Sequence, residues 1–162
     1  MRRGVVGVAV ATGVSLVFGG VALAAHPIDG ASYSAVFSPG GRGSPIVDDT
    51  MTVAANGTSF TSYALYGHYR CSNGRSGILH DDATPSSPGP PIPIKPSGKF
   101  SEHETSAGSD YGTAGMYTAA ISGHFTTRKT AMATLTIGFR ASNGSLNCTT
   151  GTVRFTERLR SG

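Results

Sequence analysis

The sequence predicts an all-β protein, a single antiparallel β-sandwich or partly closed β-barrel of about eight strands. Three observations carry that reading. Apolar and polar residues alternate over long stretches, no segment repeats at the spacing of an amphipathic helix, and turn signals recur every ten residues or so. The clearest alternation lies in residues 130–141, where Ala131, Ala133, Leu135, Ile137, Phe139 and Ala141 take one strand face. Met132, Thr134, Thr136, Gly138 and Arg140 take the other.

Residues 1–24 read as a signal peptide. Arg2 and Arg3 precede an uncharged apolar run, and Ala22-Leu23-Ala24 supplies the small-x-small pattern that signal peptidase cuts. No cysteine follows the cut, so lipid attachment there is excluded. Residues 25–162 are then expected to form one exported domain of roughly 140 residues, long enough for a single core. Losing Arg2 and Arg3 lowers the formal charge from +4 to +2, with no Lys/Arg cluster. Neither nucleic acid nor, after cleavage, a membrane is expected as a partner. Secretion to the extracellular or cell-envelope space is the expected location.

Cys71 and Cys148 are the two cysteines. A metal site would want further ligands at close spacing, so in an oxidising compartment they read as one disulfide, joining the end of the third strand to the entrance of the last.

The strands follow in order. Tyr33, Ala35 and Phe37 mark a first strand ended by Pro39-Gly40-Gly41, and Met51 and Val53 mark a second. Asn56-Gly57 turns into a long third strand carrying Tyr63, Leu65, Gly67, Tyr69 and Cys71 on one face. Asn73-Gly74 turns again into a short return through Ile78, Leu79 and His80. Residues 81–98 are read as a Pro-rich loop, because six prolines between Pro85 and Pro96 exclude a central strand, although Ile92 and Ile94 can pack at an edge. Phe100 anchors a strand over residues 99–104, and residues 106–115 are read as a polar, Gly-rich loop. Tyr117, Ala119, Ile121, Gly123 and Phe125 alternate, and a charged turn at Arg128-Lys129 leads into residues 130–141. Asn143-Gly144 turns towards Cys148, and Val153 with Phe155 opens the last strand. The match of Tyr69-Arg70-Cys71-Ser72-Asn73-Gly74 to Phe139-Arg140-Ala141-Ser142-Asn143-Gly144 suggests two related halves. The expected core is Tyr33, Phe37, Leu65, Tyr69, Ile121, Phe125, Leu135, Ile137, Phe139, Val153 and Phe155.

Gly30-x-x-Tyr33, Arg70-Cys71-x-x-Gly74, Pro91-Ile92-x-Ile94, Gly98-x-Phe100, Ile121-x-Gly123-x-Phe125 and Cys148-x-x-Gly151-x-Val153-x-Phe155 occur in that order. In this the chain resembles a family of small secreted bacterial β-rich proteins of unassigned function, with a signal peptide and one cysteine pair. It departs from them in having Phe155 where Trp is expected and a longer 81–91 segment. The resemblance implies fold and export, and transfers no catalytic residue.

Chemistry-bearing residues are sparse. For a metal, the candidates are His80, Asp82, Glu102 and Glu104, with oxygen ligands suiting Ca²⁺ and a mixed set Zn²⁺. Glu102 and Glu104 share a strand face that His103 leaves, so they chelate only if residues 80–82 meet them. For hydrolysis, His68, His80, His103 and His124 are available bases, but no nucleophile-elbow motif is present. Carboxylate pairs for glycoside hydrolysis would be drawn from Asp48, Asp49, Asp110 and Glu157. A protease inhibitor would present the rigid Pro-rich segment, and Tyr66 and Tyr111 are the aromatics to test as a binding platform. The expected function is a secreted, non-catalytic binding module for an extracellular or envelope partner, without cofactor. A small secreted hydrolase or metal-binding protein and a protease inhibitor are the alternatives.

Overall fold

The structure, a computed structural model, describes residues 25–36, 46–83, 91–110 and 112–160. Ten strands run through them and no helix does: β1 Ser32–Val36, β2 Ile46–Val53, β3 Ser59–Cys71, β4 Ser76–Ala83 and β5 Ile92–Pro93. The remainder are β6 Lys99–Asp110, β7 Thr113–Thr127, β8 Thr130–Ala141, β9 Asn147–Thr149 and β10 Val153–Leu159. All pairings are antiparallel, so the predicted class holds, and the choice between sandwich and barrel falls to a barrel.

Closure follows from how the two long strands share their edges. One edge of β3 carries β2 and, beyond Tyr69, β9; one edge of β8 carries β10 and, beyond Ile137, β9. β1 joins β10 to β2. The ring β1-β2-β3-β9-β8-β10 is therefore continuous, with no free edge within it. The remaining strands extend from the opposite edges: β4 and β5 from β3, and β7 followed by β6 from β8. Among the described residues, β6 pairs along β7 and otherwise touches a ladder only through the Ile94–Phe100 bridge.

One core fills the inside. Every second residue of β8 from Ala131 to Ala141 is buried, joined by Tyr33, Met51, Val53, Phe60, Tyr63, Leu65, Ile121, Phe125, Val153 and Phe155. Of the expected core, only Phe37 lies outside the described residues. Phe60, Phe100, Phe125 and Tyr33 form one cluster, edge-on at Phe60–Phe100 with ring centroids 5.1 Å apart and stacked at Phe60–Phe125 with centroids 6.1 Å apart. Tyr33 keeps its polar tip satisfied inside this cluster: its hydroxyl donates to the Arg128 carbonyl at 2.6 Å and accepts from the Ile28 amide at 3.0 Å.

Three Asn-Gly turns share one construction. In each, the glycine has positive φ and the asparagine Oδ1 accepts the amide two residues on, at 3.1 Å for Asn56, 3.1 Å for Asn73 and 3.0 Å for Asn143. The two matching hexapeptides thus end their long strands in the same way, though this construction also serves Asn56, outside the repeat.

Three expectations need correction. Residues 106–115 are not a loop: β6 and β7 pair without a break from Lys99–His124 to Asp110–Thr113. The glycines there serve packing, since a Cβ on Gly108 would stand 2.7 Å from the Tyr117 ring, and one on Gly115 would run into the Arg140 carbonyl. The Pro-rich loop is also shorter than read, because β4 continues to Ala83 and Ile92 of β5 and the bridged Ile94 are buried in the core. Finally, Cys148 does not sit at the entrance of the last strand. It lies in β9, separated from β10 by Gly151 at φ +66°.

Candidate functional site

Directly opposed residues of an antiparallel pair project to the same face, so registers locate side chains inside or outside the barrel. Asp81 opposes Leu65 and Leu79 opposes Gly67, which turns both towards the interior. Glu104 opposes Ala119, Ser106 opposes Tyr117 and Asp110 opposes Thr113; Ala119 in turn opposes Ile137, and Tyr117 opposes Phe139. These inward sets face each other across a cleft of about 420 Å³ between β4 on one side and β6–β7 on the other. Leu79, Ala119 and Ile137 supply apolar lining, while Asp81, Glu104 and Asp110 supply acidic lining.

Tyr117 connects the two. Its ring packs on Phe139 with centroids 4.8 Å apart, and its hydroxyl donates to the Ser109 carbonyl at 3.0 Å. Burial, and secondarily the Asp110 carboxylate, push its pKa above the usual 10.0. Oδ2 of Asp110 is itself buried without a hydrogen-bond partner. Among the described residues, no Lys, Arg or His lines the cleft.

The residues singled out from sequence separate accordingly. Glu104 enters the cleft and Glu102 does not line it, although both share the inward face of β6. The side chains of His80 and Asp82, and all of Tyr111, lie outside the described residues. Among the described residues no three His, Cys, Asp or Glu side chains are grouped closely enough to hold a metal ion. His68, His103 and His124 are exposed and line no part of the cleft. Tyr66 is half-buried on β3.

Of the carboxylates considered for glycoside hydrolysis, Asp110 lines the cleft, whereas Glu157 is buried at 1% exposure on β10 opposite Ala131. Ala131 and Ile137 are six positions apart on β8, roughly 20 Å along a strand, well beyond the carboxyl separations such catalysis uses. The side chains of Asp48 and Asp49 lie outside the described residues. Pro93 and Pro96 flank a segment built into the sheet, and residues 84–90 lie outside the described residues.

Cys71 and Cys148 form a disulfide, with S–S 2.04 Å. It is compatible with an extracellular location, and no helix among the described residues is long and apolar enough to cross a membrane. No protein-family model, curated protein or solved structure matches this chain.

In the sequence Asp81 stands within residues 80–82, Glu104 beside Glu102 and Asp110 among the hydrolysis carboxylates, and nothing local brings the three together. The parity of β6 held the missing signal: Glu102, Glu104, Ser106, Gly108 and Asp110 all fall on one face once residues 106–110 are taken as strand.

Proposed function

We propose that this chain is an exported, non-catalytic binding module that takes a small ligand in the cleft between β4 and β6–β7. The observation that carries the reading is the cleft itself. It combines a volume of about 420 Å³, within the usual range of small-ligand sites, with an apolar lining and a few convergent polar groups. The strands that frame it extend by ladder pairing from a closed, disulfide-linked barrel, β4 from β3 and β7 from β8, which favours a pre-formed site over one assembled on binding. Export rests on residues 1–24 and the cysteine pair. The same features fit the small secreted bacterial β-rich proteins that the sequence resembles.

The test is a fragment screen by amide NMR on the exported protein, repeated on Ala119→Phe, which fills the cleft. Fragment-induced shifts gathered around Leu79, Asp81, Glu104 and Tyr117, and lost in Ala119→Phe, are the expected result. Shifts that are scattered, or that survive in the filled variant, would reject the cleft as the binding site.

A further inference from the structure

We propose that the outward face of the four strands β10–β8–β7–β6 binds a carboxylated polysaccharide, on the side of the sheet away from the cleft. Along these strands the ladders sort the charges by sign. Glu157 opposes Ala131, Glu102 opposes Ile121, Glu104 opposes Ala119 and Asp110 opposes Thr113, so every acid turns inwards. Lys99 opposes His124, Arg154 opposes Thr134, Arg158 opposes Thr130 and Arg140 opposes Met116, so every base turns outwards. Lys99, Arg140, Arg154 and Arg158 are exposed, and no acid of the four strands shares their face. Residues 37–45 and 84–90 contain no acid, and Asp48, Asp49 and Asp82 belong to β2 and β4, which pair with none of these strands. Bases that are scattered along the sequence thus come to share one surface of one sign.

The spacing of the charges narrows the class of anion. Lys99, His124, Met132 and Thr156 form one row across the four strands, roughly 14 Å from end to end at the separation of neighbouring strands. Arg154 and Arg158 stand two positions either side of Thr156, roughly 13 Å apart along β10. Cations so far apart cannot close on one small anion, and they suit a polymer whose charges are spaced along it. Each exposed pair is weak, so affinity comes from several engaged together. The planar fork of each arginine matches a carboxylate through two parallel hydrogen bonds. Between the cations lie hydroxyls, among them Ser122 and Thr134, which bond each other at 2.9 Å and can exchange hydrogen bonds with sugar hydroxyls. A single-stranded nucleic acid would want aromatic side chains for its bases, but Phe100, Tyr117, Phe125, Phe139 and Phe155 all turn inwards. A membrane would want an apolar face, and Met116 and Met132 are the only large exposed apolar side chains here among the described residues.

The experiment titrates the exported protein with hyaluronan, a glycan whose carboxylates are spaced along the chain, and follows amide NMR. The expected result is shifts at Lys99, His124, Met132, Arg154 and Arg158, an affinity that falls as salt is raised, and no such shifts with uncharged dextran. Arg154→Gln combined with Arg158→Gln should weaken hyaluronan about tenfold, a few-fold for each exposed pair. Arg70→Gln combined with Arg75→Gln removes the same charge from β3 and the β3–β4 turn, outside this sheet, and should leave the affinity within about twofold. Equal losses in the two double variants would reduce the effect to overall charge and overturn the face as a site. Dextran binding as tightly as hyaluronan would overturn its electrostatic basis. Tighter binding of oligothymidylate, or of vesicles containing phosphatidylglycerol, through the same amides would overturn the choice of a polysaccharide. Absence of shifts with hyaluronan would overturn the proposal outright. These amides lie on the other side of the sheet from Ala119 and Ile137, so each outcome is read apart from ligand binding in the cleft.

Discussion

Cys148 stands directly across the β3–β9 ladder from Cys71, with Cα atoms 3.9 Å apart, and directly across the β8–β9 ladder from Phe139. The short strand β9 thus carries both the disulfide and the only sheet pairing that joins β3 to β8 among the described residues. The covalent link sits at the narrowest join of the ring.

Breaking that link should be costly without abolishing the fold. The bridge spans 77 residues, and a loop of that length corresponds to about 4 kcal/mol in the chain-entropy view. Cys71→Ser with Cys148→Ser is expected to lose about 2–4 kcal/mol in urea unfolding, with native strand content retained by circular dichroism. An unchanged midpoint would show that backbone pairing alone holds β9.

Tyr33 ties the start of the domain to the β7–β8 turn. Tyr33→Phe keeps the ring in the aromatic cluster but leaves the Arg128 carbonyl and the Ile28 amide without their partner. The expected cost is about 1–3 kcal/mol, read by chemical denaturation.

Stability should also fall at alkaline pH. Burial raises the Tyr33 pKa above 10.0, partly offset by the Ile28 amide and by Arg128; burial, then Asp110, raises that of Tyr117. The folded state therefore holds these protons more tightly than the unfolded chain. That contribution is complete below about pH 10, and it is lost as pH rises through the folded-state values. Denaturation midpoints measured from pH 8 to 11 should decline only in the upper part of the range, and less steeply for Tyr33→Phe.

Two glycines on paired strands should differ sharply. A Cβ at Gly115 meets the Arg140 carbonyl and lies 2.9 Å from the Ala141 Cα, both backbone atoms that cannot rotate away. At Gly138 the nearest atoms are Thr118 Oγ1 at 3.2 Å and the Cys148 carbonyl oxygen at 3.3 Å. Gly115→Ala is expected to cost about 2–3 kcal/mol and Gly138→Ala under about 1 kcal/mol. Thermal melts of the two variants provide the check.

What the sequence revealed depended on contrast between neighbours. β3 and β8 were legible because large apolar residues alternate with polar ones, and the turns at Asn56, Asn73 and Asn143 because Asn-Gly favours positive φ. The second half of β6 was not: Ser106, Ala107, Gly108 and Ser109 have no apolar contrast, and only pairing with β7 makes them a strand. Asp81 was hidden for a related reason, since the prolines after it drew the loop boundary too early. The cleft depends on both misread segments and on β4 and β6–β7 lining the same space, a long-range juxtaposition that local periodicity does not encode.

The edge of β6 that has no ladder partner among the described residues has a consequence for self-association. Beyond Phe100, which bridges to Ile94, the outer side of this twelve-residue strand is open among the described residues, and an open edge is a template for a second copy of the same strand. Charges carried within such a strand oppose that pairing, and Glu102, Glu104 and Asp110 lie along it. Repulsion between the carboxylates of two facing copies therefore works against edge-to-edge dimerisation through this strand.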